Sequence, residues 1–260
     1  MKKFKAVTLY ISLFLGALYV GERLEDSFAL ISDSVIKNEL TYNIIIKTII
    51  CAIFLFIGKR LKLMKFNGLT KEIFKFYPIF QVLALYALVY SIKAHTFQIE
   101  SVVLFLFFVS TLCTGFAEEL CFRGVLLPTF IKSFSDSENV ILKSVVIVAL
   151  IFGVLHFGNL IKYPENILGV TTQVIAAICV SFLFSAILLK SRSIVVAGVT
   201  HGLINFTFSG RFLSESQKNT GDISMNLNSV VTTSIFFGII LFISIVMIKK
   251  VNRQSVLNSL

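Results

Sequence analysis

The chain has 260 residues, 56% of them hydrophobic, a mean hydropathy of +0.89 and a formal net charge of +10. Soluble domains are nearer about 45–50% apolar, and here the excess comes in long blocks, which excludes an ordinary soluble fold and points to membrane spans. The cations lie between those blocks and not along one amphipathic face, so the positive balance reads as topology and no nucleic-acid partner is expected.

In chain order, the apolar blocks predict about eight transmembrane helices, roughly at 6–21, 43–58, 77–92, 100–118, 143–158, 167–189, 194–209 and 229–248. Each approaches the ~20 residues that cross ~30 Å of hydrocarbon. The seventh is short and follows the sixth closely. The first follows Met1-Lys2-Lys3-Phe4-Lys5 with no clear Ala-x-Ala site, so it is read as a retained helix and not as a cleaved signal. The fold class is therefore all-α, a polytopic membrane helical bundle, with residues 1–260 as a single integral membrane domain. With the N-terminus placed inside, sixteen Lys and Arg fall on the inner side and six on the outer, while Lys47 and Arg123 stay within apolar segments. That bias predicts a multi-pass cell-membrane protein with both termini cytoplasmic. Cys51, Cys113, Cys121 and Cys179 form no CxxC pair and lie in or beside apolar runs, so they read as packing residues.

Three stretches break the apolar pattern. They are Ala117-Glu118-Glu119-Leu120-Cys121-Phe122-Arg123-Gly124, Phe152-Gly153-Val154-Leu155-His156, and Thr200-His201-Gly202-Leu203-Ile204-Asn205. An ionisable group inside a span costs about 2.5–3.5 kcal/mol on insertion scales and is a functional candidate by default. Glu119 and Arg123 are one helical turn apart and can pair. Glu118 lies about 100° further round the helix, freer to face a cavity. His201 and Asn205 again share a face. At ~1.5 Å per residue, Glu118 lies roughly 21 Å from the level of Lys132, His156 roughly 20 Å from Lys143, and His201 roughly 14 Å from Arg192. With straight helices the polar groups can thus meet within the bilayer, provided the fourth helix continues past Glu119 towards Phe130; a kink near Gly124 would make every depth shallower. Singly, each stretch also suits a structural ion pair or an interhelical hydrogen bond.

At these residues the chain resembles the CPBP family, the CAAX-protease and bacteriocin-processing (Abi) membrane peptidases. Glu118-Glu119 with Arg123 fits the family's Glu-Glu-x-x-x-Arg, Phe152 with His156 fits Phe-x-x-x-His, and His201 with Asn205 fits His-x-x-x-Asn. The resemblance covers about residues 100–210, a peptidase core carrying the three motifs. It implies an intramembrane endopeptidase that hydrolyses a peptide bond of a membrane-associated peptide or protein, prenylated CAAX tails being one substrate class. In that scheme Glu118, helped by His156, activates water, His201 and Asn205 stabilise the oxyanion, and Glu119–Arg123 orient Glu118. A carboxylate in low dielectric is a stronger base than one in water, and neutral donors steady a developing charge where water is scarce. That mechanism needs no cofactor. The same residues also permit zinc held by Glu118, His156 and His201, although there is no HExxH. The expected partners are membrane lipid and a peptide or membrane-protein substrate. Two other classes suit the same residues: a non-catalytic bacteriocin-immunity or scaffold protein, and a proton-coupled transporter using Glu118, Glu119 and Arg123. For the transporter, the inverted repeats or paired broken helices typical of that class are absent from the sequence.

Overall fold

A computed structural model describes residues 9–16, 35–69, 99–162, 164–209 and 227–260 of the chain. Among these residues there are helices and turns and no strand. A helical segment at 9–16 comes first. It is followed by α1 (Val35–Arg60) and α2 (Ser101–Cys121), and α2 passes through a π-helical turn, Phe122–Leu126, into α3 (Leu127–Ser133). Next come α4 (Val140–Leu155), a 3-10 turn at His156–Gly158 and the short α5 (Asn159–Lys162). The chain then forms α6 (Ile167–Ser191), α7 (Ile194–Ser209), α8 (Leu227–Lys249) and the short α9 (Arg253–Leu257).

Five helical stretches are long and apolar enough to cross a membrane: Lys37–Arg60, Ser101–Ser133, Val140–Ile161, Ile167–Ser191 and Val230–Lys249. They match the second, fourth, fifth, sixth and eighth predicted spans. The seventh is a shorter apolar helix, Ile194–Thr207. The first is described, as helix, only over 9–16, and the third, 77–92, lies outside the described residues. Several apolar spanning helices make this a multi-pass membrane protein.

Burial ranks the helices. The most apolar stretch of the α6 span is 67% buried, against 11% for those of α1 and α8. α6 is thus the centre of the bundle, with α4, α7 and α8 packed on it, while α2 lies between α1 and α7. The outer helices turn Ile45, Ile49 and Phe56 of α1, and Ile235, Ile239 and Phe242 of α8, outward. In lipid such a face carries no hydrophobic penalty, so helix association relies on close packing and polar contacts.

That packing is clearest between α2 and α7. A Cβ on Gly202 would lie 2.7 Å from Leu112 Cα, and one on Gly115 would lie 2.7 Å from Gly198 O. Gly198 and Gly202 are spaced as GxxxG, which lets two backbones approach closely. His201 sits within this contact, so the glycines set its distance from α2.

The π-turn in the Ser101–Ser133 span also has a local cause. Pro128, in the first turn of α3, has no N–H to give the carbonyl four residues earlier, which is that of Gly124. Asn67 Nδ2 donates to that carbonyl instead, at 3.1 Å. Just before it the ladder widens, with the Leu127 N–H bonded to Phe122 O across five residues. A π-turn of this kind marks many functional sites, and here it carries Arg123.

Candidate active site

The floor of the site is built on the end of α2. Glu119 and Arg123 side chains are both fully buried, and Arg123 Nη1 donates to Glu119 Oε1 at 2.9 Å. The predicted one-turn pair therefore forms, across the junction between α-helix and π-turn. Burying two charges is costly unless further hydrogen bonds satisfy them. Arg123 Nη2 donates to Ser181 Oγ at 2.7 Å and to Ser181 O at 3.3 Å, so α6 supplies part of that satisfaction, while Arg123 Nε and Glu119 Oε2 are buried without a partner. The guanidinium also lies over aromatic rings, 4.7 Å from the centroid of Phe152 and 5.2 Å from that of Phe184, a favourable cation–π arrangement in a dry setting.

His201 reaches this floor from α7. Its Nδ1 lies 2.9 Å from Glu119 Oε1. A carboxylate accepts, so Nδ1 carries the proton and donates it. One carboxylate oxygen thus receives both Arg123 and His201. The opposite ring atom, Nε2, faces Glu118 Oε2 at 3.5 Å, longer than a strong hydrogen bond. The imidazole stacks on Phe184 at 4.4 Å between centroids with a 21° tilt, which fixes its plane.

Glu118 and Glu119 differ in one decisive respect. The Glu118 side chain keeps 19% of its surface exposed, while Glu119 keeps none. Only Glu118 can meet water or a substrate without moving the bundle.

His156 caps the end of α4 and opens the 3-10 turn. Its Nδ1 lies 2.9 Å from Phe152 O. A carbonyl only accepts, so Nδ1 again holds the proton. His156 and His201 both meet the edge or face of Phe152, at centroid distances of 4.9 and 6.0 Å. Phe152 is the element shared by the two imidazoles. Asn205 lies one turn beyond His201 on α7 and is half-buried. Among the described residues no hydrogen bond joins Asn205 to Glu118, Glu119, Arg123, His156 or His201.

The structure thus gathers Glu118, Glu119, Arg123 and His201 into one connected group, places His156 beside it through Phe152, and leaves Asn205 at its margin. Sequence reading missed Ser181 and Phe184. A serine inside an otherwise apolar span is a signal for an interhelical hydrogen bond, and it was available at Ser181.

Zinc needs three or four ligands converging within bonding distance. Among the described residues no three His, Cys, Asp or Glu side chains gather in that way. As they stand, Glu118, His156 and His201 do not fit a zinc site. The four cysteines are free thiols, in keeping with packing roles.

No curated protein and no solved structure matches the chain. Residues 100–207 match the family described as Rce1-like, Type II CAAX prenyl endopeptidase Rce1-like. That segment runs from the start of α2 almost to the end of α7 and contains every residue of the group just described, and over it the chain is similar to the CAAX-protease (CPBP) family of membrane proteases.

Proposed function

We propose that this protein is an intramembrane endopeptidase that cuts a peptide bond of a membrane-associated peptide or protein, with Glu118 as the base that activates water. The observation carrying the assignment is the difference between adjacent carboxylates: Glu118 partly exposed and Glu119 wholly buried. A general base must reach its water, so accessibility selects Glu118. Glu119 is a positioning residue that holds His201 and Arg123.

In this reading Glu118 takes a proton from water as the water oxygen bonds to the peptide carbonyl carbon. The carbonyl oxygen becomes an oxyanion. Glu118 then returns the proton to the amide nitrogen as the C–N bond breaks, leaving a carboxylic acid and an amine. His201 is the oxyanion donor nearest the base. With Nδ1–H given to Glu119, a proton on Nε2 makes the ring an imidazolium. The group then holds two carboxylates, Glu118 and Glu119, against two cations, Arg123 and His201, and is electrically balanced. A charged donor aimed at a developing oxyanion in a dry site contributes about 2.7–4 kcal/mol. In the same scheme His156 helps Glu118 hold the attacking water, and Asn205 joins His201 as second donor when substrate enters. No metal is required.

The test is cleavage of candidate membrane-peptide tails by the purified chain, with and without a chelator. Glu118→Gln, which keeps size and hydrogen bonding, is expected to slow cleavage by about 10²–10⁴-fold. Activity is expected to survive chelation. Wild-type rates in Glu118→Gln would remove Glu118 as the base. Loss of activity on chelation, restored by zinc, would replace the metal-free scheme.

A further inference from the structure

A second polar feature lies away from the active site, at the end of the bundle where α1, α6 and α8 finish. It is a cavity of about 530 Å³ whose lining includes Lys65, Arg192, Asn252, Ser255, Asn258 and Ser259. The lining holds two cations and no carboxylate side chain. Among the described residues neither Lys65 nor Arg192 forms an ion pair.

Arg192 is held in place by its backbone. Arg192 adopts a left-handed conformation, φ 55°, ending α6. Its carbonyl abuts Gly68, itself at φ 65°, where any Cβ would land on the Arg192 carbonyl oxygen. The neighbouring Ile194 N–H donates to Asn67 O at 2.9 Å, fixing the same corner. The guanidinium is spread between Ser259 Oγ at 2.9 Å and Ser255 Oγ at 3.0 Å. Lys65 Nζ donates to Asn258 O at 3.2 Å. Burial pulls the Arg192 pKa below its ordinary value, a desolvation that a bound anion offsets. Two cations flanked by hydroxyl and amide groups, with no carboxylate side chain in the lining, suit a tetrahedral oxyanion.

We propose that this cavity binds a phosphate-bearing anion, either the phosphodiester headgroup of an anionic lipid or free phosphate. The charge bias places this end at the cytoplasmic face, where anionic headgroups concentrate. The site is separate from the peptidase group and does not depend on the protein being a peptidase.

The experiment is thermal unfolding of the purified full chain in neutral detergent. Phosphatidylglycerol in mixed micelles is expected to raise Tm by about 5 °C over the same amount of phosphatidylcholine. Lys65→Gln, a change at an exposed side chain, is expected to remove at least half of that gain, and Lys65→Gln with Arg192→Gln all of it. Lys59→Gln, an exposed cation outside the cavity, is expected to keep it. Inorganic phosphate, compared with sodium chloride at equal ionic strength, separates the sources: a gain from phosphate alone identifies a free-phosphate site, and a gain confined to the lipid identifies a headgroup site. No gain with either probe overturns the proposal. So does an equal gain in wild type and Lys65→Gln, or a loss in Lys59→Gln as large as in Lys65→Gln, since both would mean diffuse surface charge.

Discussion

Arg123 is the residue on which the site's stability and chemistry are most easily separated. It is fully buried with Glu119, and its second amino group is held by Ser181. Removing one partner of a buried pair leaves an uncompensated charge and costs about 3–5 kcal/mol, whereas replacing both with apolar groups is often neutral. Arg123→Met is therefore expected to destabilise the chain by that amount. Glu119→Leu with Arg123→Met is expected to recover most of the loss in Tm while leaving peptide cleavage low, because His201 then has no carboxylate to hold it. Equal stability in the single and double variants would contradict the pairing. Ser181→Ala is a milder cut: losing one hydrogen bond to a charged group costs about 1.5–3 kcal/mol, read by denaturation. The spacing of Glu119 and Arg123 made their pair legible in the sequence, because one turn of helix fixes it. Their tie to Ser181 was not legible, because it joins residues 58 positions apart on different helices.

Helices supply the distances that single residues cannot. His201 reaches Glu119 across 82 positions, and it does so because α2 and α7 touch through glycine. A methyl on Gly202 would lie 2.7 Å from Leu112 Cα, so the two backbones must part. A shift on the order of 1 Å in a catalytic group costs about 10²-fold in rate. Gly202→Ala is expected to lower cleavage by about that factor with a smaller loss of Tm. Gly238→Ala, in α8 with nothing within 4 Å of the added methyl, is expected to leave both unchanged. Matching losses in the two variants would mean that glycine acts through helix flexibility and not through contact. A π-turn interrupts the Ser101–Ser133 span over Phe122–Leu126, around Gly124. Its cause lies in Pro128 and in the Asn67 side chain that takes the freed carbonyl. Asn67→Ala is expected to cost about 1–3 kcal/mol by leaving that carbonyl unpaired. Pro128→Ala, which restores an N–H, is expected to shrink the cost in a double-mutant cycle.

At the scale of the whole chain, hydropathy and charge were the most readable signals, because a bilayer allows few solutions for an apolar block. The fourth span passes the end of its apolar block at 118 and runs as Ser101–Ser133, across Glu118, Glu119 and Arg123, as the meeting of the polar groups required. The cations sorted to one side by sequence also gather at one end of the bundle. Lys65 bonds Asn258 O, Arg192 bonds Ser255 and Ser259, Lys190 bonds Lys250 O, and Arg253 bonds Ser135 O. Segments following α1, α3, α6 and α8 therefore share a face. At the starts of α1 and α2, Lys37 pairs with Glu100 at 2.7 Å, which puts those two ends together. The positive-inside bias predicts that the basic end is cytoplasmic. An Asn252→Cys variant is then expected to react with a membrane-impermeant maleimide only once the inner face is opened, and a Glu100→Cys variant from the outside of intact cells. Glu100 sits in an exposed ion pair, worth about 0–1 kcal/mol, so its replacement leaves the fold in place for the measurement. The native cysteines at positions 51, 113, 121 and 179 set the background, read in the unsubstituted chain. Labelling of both introduced thiols from one side would break the assignment of ends, and labelling with the sides exchanged would invert the orientation while keeping it.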